Sequence, residues 1–176
     1  MKKIFSVAAI AALLFTTFTV NAQEAKDKTK RPSPPAEVKQ TLASGAVVHI
    51  DYSQPSVKGR VIGETLEPKD GAVWRTGANE ATVFETDKDV KINGQSLPAG
   101  KYGLFTISGK EEWTIIFNKT WNQWGAYDYK AADDVLRVKV KPGKAAAFAE
   151  KMTFNIDKSG TVSLLWGDLQ VAFDVK

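Results

Sequence analysis

Residues 101–119 read KYGLFTISGKEEWTIIFNK, and this stretch decides the class of fold. Its two ends, 101–108 and 113–119, are rich in the aromatic and β-branched residues that favour strands. Between them, residues 109–112 form a short polar connection that begins with glycine. Two such runs with so short a connection are typical of a β-hairpin, so the sequence predicts an antiparallel pair of strands here.

Strand-like segments also precede this hairpin. Apolar and polar residues alternate, or β-favouring residues cluster, in four segments: 36–42, 48–52, 81–85 and 90–93. The last of these is followed by Asn93-Gly94, a pair that is typical of tight hairpin turns. The sequence therefore predicts more antiparallel strands on the N-terminal side.

Four further strands are predicted after the hairpin, at 135–141, 152–157, 161–166 and 169–175. Gly167-Asp168 separates the last two and suits a type II′ hairpin turn. Residues 144–151 are rich in alanine, the strongest helix former, and they predict the only short helix.

The spacing of these elements predicts an all-β protein. About ten short strands with turn residues between them favour an antiparallel β-sandwich or a partly closed barrel with one short helix. The sequence contains no internal repeat.

The N-terminus has the pattern of a secretory signal peptide. Lys2 and Lys3 precede an uncharged run over 4–20, and the small residue Ala22 predicts cleavage before Gln23. An uncleaved membrane anchor is the alternative, but threonines dilute the apolar run. The chain has no cysteine that could be lipidated. We therefore expect a periplasmic or secreted protein with no integral membrane span after cleavage.

Charge and proline dominate the segment that follows the predicted cleavage site. Residues 23–35 read QEAKDKTKRPSPP and offer almost no large apolar group, which predicts a disordered tether. Residues 36–176 have the length of one domain, so the sequence predicts a single β domain.

Composition excludes several classes of function. Without Lys2 and Lys3 the chain has 22 basic against 20 acidic side chains, a net charge of +2, which does not favour nucleic acid as a partner. The absence of cysteine excludes disulfides and thiolate metal sites, so a hydrophobic core must hold the fold.

The sequence predicts no catalytic residue, metal ligand or cofactor with a recognisable pattern. His49 is the only histidine and lies within a predicted strand, where a half-buried structural role is the simplest interpretation. No serine has the surroundings of a nucleophile elbow. Two acidic groups, 85–89 and 133–134, lack the spacing of a calcium loop.

The most distinctive stretch is 73–82, which reads VWRTGANEAT. It places an indole, a guanidinium, an amide and a carboxylate around a glycine turn, and such groups can bind a polar ligand beside an aromatic surface. In the alternative interpretation, Arg75 and Glu80 pair with each other or with Asp51, and Trp74 is a core residue. The sequence leaves both possibilities open.

A second candidate stretch is 121–129, which reads WNQWGAYDY. Trp121, Trp124 and Tyr127 recur every three residues, so one tight turn could present them together to a sugar ring or a peptide. A loop that plugs the end of a sandwich with its own indoles would have the same composition.

Four motifs in this order resemble a bacterial family called domain of unknown function 2911. They are DYSQPSVKGR at 51–60, WRTGANEAT at 74–82, LPAGKY at 97–102 and WGAY at 124–127. The likeness runs from about Ser33 to the C-terminus. It implies an exported, mainly β protein of a kind common in Bacteroidetes-type bacteria, with no agreed activity or ligand.

Three functions are compatible with these observations. The first is a non-catalytic module that binds a small polar molecule, glycan or peptide through Tyr52, Arg60, Trp74, Arg75, Asn79 and Glu80, with Trp121 and Trp124 as further binding residues. The second is a metal-independent hydrolase or lyase that uses Glu80 with Tyr52 and Arg75. The third is a structural partner module of an envelope assembly.

Overall fold

The computed structural model describes residues 27–176, so the predicted signal peptide and its cleavage site lie outside the described residues. Within 27–176 the chain forms eleven strands and two single 3-10 turns. The strands are β1 (Pro35–Thr41), β2 (Val47–Ser53), β3 (Val73–Trp74), β4 (Thr82–Thr86), β5 (Val90–Ile92), β6 (Gln95–Leu97), β7 (Gly100–Ile107), β8 (Trp113–Asn118), β9 (Asp134–Val140), β10 (Gly143–Ile156) and β11 (Thr161–Asp174). The 3-10 turns are Lys28–Lys30 and Ala131–Asp133.

One antiparallel sheet contains the predicted central hairpin. Its order is β1-β2-β4-β7-β8-β9, with β3 added beside β7. Strands β7 and β8 pair from Gly103 opposite Asn118 to Ile107 opposite Thr114, which confirms the hairpin predicted at 101–119. The prediction of an all-β antiparallel fold is also confirmed.

The long hairpin of β10 and β11 covers one face of this sheet. Trp74 on the sheet stacks on Trp166 of β11, with ring centroids 5.6 Å apart and planes 12° apart. Tyr52 of β2 meets the edge of Phe154 on β10 at 5.0 Å. The main core therefore lies between a sheet and a hairpin, in a sandwich-like arrangement.

The opposite face of the sheet is covered by a segment that we call the aromatic loop, residues 119–133. Phe105 and Ile116 are fully buried there, on the side of β7 and β8 away from the main core. Tyr129 of the aromatic loop packs on Phe105 with ring centroids 5.1 Å apart. The aromatic loop is thus fixed to the sheet by its own small core.

Strands β5 and β6 form a small separate hairpin. Asn93 and Gly94 connect them with φ angles of 47° and 83°, the left-handed values that a type I′ turn requires. This confirms the turn predicted from the Asn-Gly pair.

The predicted helix at 144–151 is wrong, because these residues belong to β10. Ala149 pairs with Gly167 of β11, and Lys144 pairs with Leu169. Helix propensity is a weak preference, and pairing with a long neighbouring strand overrides it. Among the described residues, none lies in a helix of the length and apolarity needed to cross a membrane.

The predicted type II′ turn at Gly167-Asp168 is also wrong, because β11 continues through both residues. The register between β10 and β11 shifts on either side of Ala149, and Gly167 has a φ of 59°. A glycine at positive φ inside a strand is typical of a β-bulge, which bends a strand without ending it.

The structure differs from the predicted tether over residues 27–34, which we call the N-terminal segment. It lies against the domain, where Asn79 Nδ2 donates to Ser33 O at 2.9 Å and Gln54 N donates to Pro34 O at 2.9 Å. Composition suggested disorder because the segment has few apolar groups, yet polar contacts hold it in place.

Candidate functional site

The two stretches singled out in the sequence, 73–82 and 121–129, lie side by side. Two backbone hydrogen bonds join them, Ala81 N to Gln123 O at 3.0 Å and Gly125 N to Asn79 O at 2.9 Å, and together they form an isolated antiparallel bridge between Glu80 and Trp124. These contacts bring Arg75, Asn79, Glu80 and Trp124 into one region.

A tight turn between β3 and β4 sets the direction of these side chains. Thr76 and Asn79 have φ angles of 54° and 59°, which side-chain-bearing residues seldom adopt. Thr82 Oγ1 donates to Thr76 O at 2.8 Å, and Trp74 Nε1 donates to Gly77 O at 3.1 Å. The surrounding hydrogen bonds therefore hold an unfavourable backbone conformation.

Two of the predicted ligand-binding residues, Tyr52 and Trp74, lie in the core. Trp74 is only 3% exposed, and its indole N–H is already bonded within its own turn. The hydroxyl of Tyr52 accepts a hydrogen bond from Phe154 N at 3.2 Å in the buried interior. Burial raises the pKa of the Tyr52 hydroxyl, although the bond from Phe154 opposes this effect. Both side chains serve packing.

Arg75 lines a cavity of about 290 Å³, which we call the Arg75 pocket. Tyr127 and Ala126 of the aromatic loop form one wall. Glu67 and Lys69, from the chain that leads into β3, lie on the other side. The Tyr127 ring is 80% exposed and open to a bound molecule.

The guanidinium of Arg75 has little bonding within the protein. Its Nη1 donates to Asn79 O at 3.4 Å, a long hydrogen bond, and its Nε is buried without a partner. Within residues 27–176, no carboxylate lies within 4.0 Å of it. A partly buried cation without a counter-charge is unfavourable unless something else supplies the negative charge.

Gly125 shapes the Arg75 pocket at close range. Its φ is 66°, and an added Cβ would lie 2.7 Å from Arg75 Nη1 and 3.1 Å from the Tyr127 ring. Only glycine lets the backbone approach both groups. This contact links the WRTGANEAT and WGAY motifs physically.

The far end of the aromatic loop is held by Asp134. This carboxylate accepts from the Tyr129 hydroxyl at 2.7 Å, from Arg137 Nε at 2.7 Å and from Asn118 Nδ2 at 2.8 Å. Burial and the bond to Asp134 raise the pKa of Tyr129 to about 12. The loop is therefore anchored on both sides of the Arg75 pocket.

Glu80 pairs with the N-terminal segment. Its carboxylate accepts from Arg31 Nη1 at 2.8 and 3.1 Å, and Lys28 Nζ lies 3.0 Å away. The Arg31 guanidinium also lies 5.7 Å from the Trp124 ring centroid, within the range of a cation–π contact. Burial alone would raise the pKa of Glu80, but hydrogen bonds from its own amide, Lys28 and Arg31 lower it overall. Sequence reasoning missed Arg31 because it lies in the predicted tether.

We expect residues 27–31 of the N-terminal segment to undock in acid, because Lys28 and Arg31 pair with Glu80, whereas the contacts of Ser33 and Pro34 involve no titrating group. Because the pKa of Glu80 is lower in the folded protein than its ordinary value of about 4.3, its ion pairs contribute fully above that pH. They are lost as the pH falls through the lowered pKa. The amide chemical shift of Arg31, followed from about pH 6 to pH 3, should report this transition, whereas the Thr29 amide donates to Asp27 and also follows that carboxylate.

Two variants control this measurement. Glu80→Gln should leave residues 27–31 undocked over the whole range, whereas Glu85→Gln, which removes a carboxylate paired with Lys101, should leave the transition intact. An unchanged acid transition in Glu80→Gln would show that another group holds the segment.

The indoles of the aromatic loop do not form a plug. Trp121 and Trp124 are 38% and 50% exposed, and Lys101 Nζ lies 5.1 Å from the Trp121 ring centroid. Ala126 and Tyr129, not the tryptophans, cover the sheet. The tryptophans are therefore accessible to a partner on the protein surface.

Arg60 lies apart from the Arg75 pocket, in the loop between β2 and β3. Its Nε and Nη2 donate to Val57 O and Ser56 O at 3.1 and 2.7 Å. It lines a second cavity of about 400 Å³, which we call the Phe148 cleft. Of the eight predicted site residues, two lie in the core (Tyr52 and Trp74), four lie together beside the Arg75 pocket (Arg75, Asn79, Glu80 and Trp124), Arg60 lines the Phe148 cleft, and Trp121 lies beside Lys101. Trp74 also lines the Arg75 pocket.

Pairing of β1 with β2 brings three possible metal ligands together. His49 Nε2 lies 3.0 Å from Glu37 Oε2 and 3.5 Å from Asp51 Oδ1, and the ligand atoms of all three lie within 4.8 Å of one another. Sequence reasoning looked for cysteine or histidine partners and missed this cross-strand group. Glu37 is exposed, and the contacts among the three side chains account for their positions without a metal.

A family profile described as a protein of unknown function, DUF2911, matches residues 33–175. No curated protein and no solved structure matches the chain. The match spans all eleven strands, the Arg75 pocket and the Phe148 cleft, and it starts after Arg31. The resemblance recognised in four motifs is therefore confirmed, and the chain belongs to the DUF2911 family.

Proposed function

We propose that this protein is a non-catalytic binding module whose Arg75 pocket takes a small polar molecule with a carboxylate or phosphate group. The observation that carries the proposal is the unpaired guanidinium of Arg75 at the wall of a cavity. A planar guanidinium can donate two parallel hydrogen bonds to either anion.

The surroundings of Arg75 favour an anion with a ring. Lys69 adds a second positive charge to the cavity wall against one carboxylate, Glu67. The exposed Tyr127 ring offers a face on which a sugar or another flat ring can stack. A sugar phosphate or a uronic acid combines both features.

The predicted signal peptide bears on where in or outside the cell this binding would take place. We propose that the protein is exported and binds its ligand in the periplasm or outside the cell.

A hydrolase or lyase that uses Glu80 with Tyr52 is less well supported. The hydroxyl of Tyr52 is buried and bonded to the backbone, and Glu80 is bonded to Lys28 and Arg31. The lowered pKa of Glu80 keeps it ionised near neutral pH, which does not suit a general acid.

Calorimetric titration with phosphate, a hexose phosphate and a hexuronate tests the proposal, with the neutral hexose as the ligand control. We expect the charged ligands to bind and Arg75→Gln to weaken them about tenfold or more, since a charge-assisted hydrogen bond contributes about 1.5 to 3 kcal/mol. Arg60→Gln is the matched arginine control and should bind as the parent does. Equal binding by parent and Arg75→Gln would refute the role of Arg75.

Two glycine variants provide a second test of the Arg75 pocket in the same binding measurement. Gly125→Ala places a methyl group against the guanidinium, whereas Gly71→Ala meets no atom within 4 Å at a similar φ of 74°. Both variants carry similar backbone strain, so their melting temperatures should be alike. Only Gly125→Ala should weaken anion binding, and equal binding by the two would mean that the position of Arg75 is unimportant.

A further inference from the structure

The Phe148 cleft is larger than the Arg75 pocket and lies in a different part of the fold. The loop between β2 and β3 forms one wall through Val61 and Ile62. Phe148 of β10, Gly167 of β11 and Trp113 at the start of β8 also line the cavity. The cleft therefore lies where a loop, the central sheet and the long hairpin meet.

The walls of the Phe148 cleft are mostly apolar, and some of them are open to solvent. Phe148 and Val61 are 57% and 50% exposed, and they are two of only six large hydrophobic residues with such exposure among residues 27–176. Solvent-exposed apolar groups that share one concave surface favour a bound apolar molecule more than single scattered groups do.

The bulge in β11 determines the shape of this cleft. Gly167 has a φ of 59°, and an added Cβ would lie 2.9 Å from Ile62 Cδ1 and 3.7 Å from the Phe148 ring. The missing side chain lets Ile62 of the β2–β3 loop and the Phe148 ring lie close to the backbone of β11. The irregular part of the hairpin is thus the part that borders the cavity.

The charges that line the cleft are mainly negative. The carboxylate of Asp168 has no hydrogen bond or ion pair with any residue in the part of the chain that the structure describes. Asp70 only accepts from the Ser108 hydroxyl, at 3.1 Å. Arg60 is the one cation that lines the cleft, and it donates to two backbone carbonyls. An incoming positive charge would therefore find a free carboxylate.

We propose that the Phe148 cleft is a second ligand-binding site, which takes a small organic cation such as an amine with an aromatic or branched aliphatic body. The apolar walls contact the body of the molecule, and Asp168 and Asp70 attract its ammonium group. A volume of about 400 Å³ suits a molecule of one ring and a short chain. This site is independent of the anion bound by Arg75.

An NMR titration of the isotope-labelled protein tests this inference with three ligands of similar shape. They are 2-phenylethylammonium, 2-phenylethanol and 3-phenylpropionate, which are positive, neutral and negative. We expect the cation to bind most tightly and to shift the amide signals of Ser108, Gly167 and Asp168. Tightest binding by the anion, or shifts confined to other regions, would overturn the proposal.

Variants separate the apolar and the charged contributions. Phe148→Ser should weaken the cation and the neutral ligand alike, by about fivefold or more. The double variant Asp70→Asn with Asp168→Asn should remove only the preference for the cation, about two- to fivefold. Val135→Ser, which shortens another exposed apolar side chain away from the cleft, should change neither.

Two further measurements distinguish amine binding in the Phe148 cleft from binding at the Arg75 pocket and from a contact between two copies of the chain. Arg75→Gln should bind the amine as the parent does, so failure of the anion site would leave this inference intact. If sedimentation shows a dimer that Phe148→Ser converts to a monomer, the cleft is a contact between copies of the chain and the proposal is wrong.

Discussion

Replacing Trp74 by alanine is expected to lower the free energy of unfolding by about 3 to 5 kcal/mol. The indole is almost fully buried, stacks on Trp166 and donates to Gly77 O, so its removal leaves a cavity and an unpaired carbonyl. At about 2 to 4 °C per kcal/mol for a chain of this size, the midpoint should fall by roughly 6 to 20 °C. Thermal unfolding followed by circular dichroism measures the change.

Trp121→Ala is the matched control for Trp74→Ala. Its indole is 38% exposed, so we expect a loss below about 1 kcal/mol. A stable Trp74→Ala variant with altered ligand binding would reverse our assignment and return Trp74 to the binding site.

Gly160→Ala is expected to destabilise the fold by more than about 3 kcal/mol. Gly160 has a φ of 96°, and an added Cβ would lie 1.9 Å from Val175 O, a backbone atom that cannot move alone. Val175 is fully buried and donates its amide to Gly160 O at 2.8 Å. The methyl group would therefore displace the end of the chain from the core. Denaturant unfolding measures the loss.

Gly94→Ala is the control that separates the cost of backbone strain from the cost of the contact with Val175 O. Gly94 has a φ of 83°, but an added Cβ would meet no atom within 4 Å. We expect a loss of about 1 to 2 kcal/mol from strain alone. Similar losses in both variants would show that the contact with Val175 is unimportant.

The sequence predicted the strands well where hydrophobic patterning and turn chemistry agree. At 101–119 both ends are strand-like and the connection is short, and the Asn93-Gly94 pair requires the backbone that a tight hairpin turn provides. Around 144–151 the two signals conflict. Alanine favours a helix locally, but β10 gains its stability from pairing with β11, which lies far along the chain.

Part of the candidate site could also be predicted from local sequence. Arg75, Asn79, Glu80 and Trp124 do lie in one region, as the unusual residue content of their two stretches suggested. The burial of each side chain could not be predicted from the sequence. Trp74 and Arg75 are neighbours that both line the Arg75 pocket, yet the Trp74 indole is 3% exposed and stacks on Trp166 in the core, whereas Arg75 is only partly buried.

The aspartates of the Phe148 cleft had no sequence signal at all. Asp168 and Asp70 are almost a hundred residues apart, and only the folded chain places both beside Phe148. A site that is assembled from residues far apart in the sequence, here from a loop and two strands, has no local motif to recognise.

The position of the β10–β11 hairpin has a consequence for synthesis. Trp166, Val171 and Phe173 of β11 are core residues, and they follow every strand of the central sheet in the sequence. Until they emerge, the sheet formed by the earlier strands lacks the layer that covers one of its faces. A nascent chain that has released only the strands of the sheet therefore exposes an uncovered apolar face, and it is a potential chaperone client until β11 has emerged.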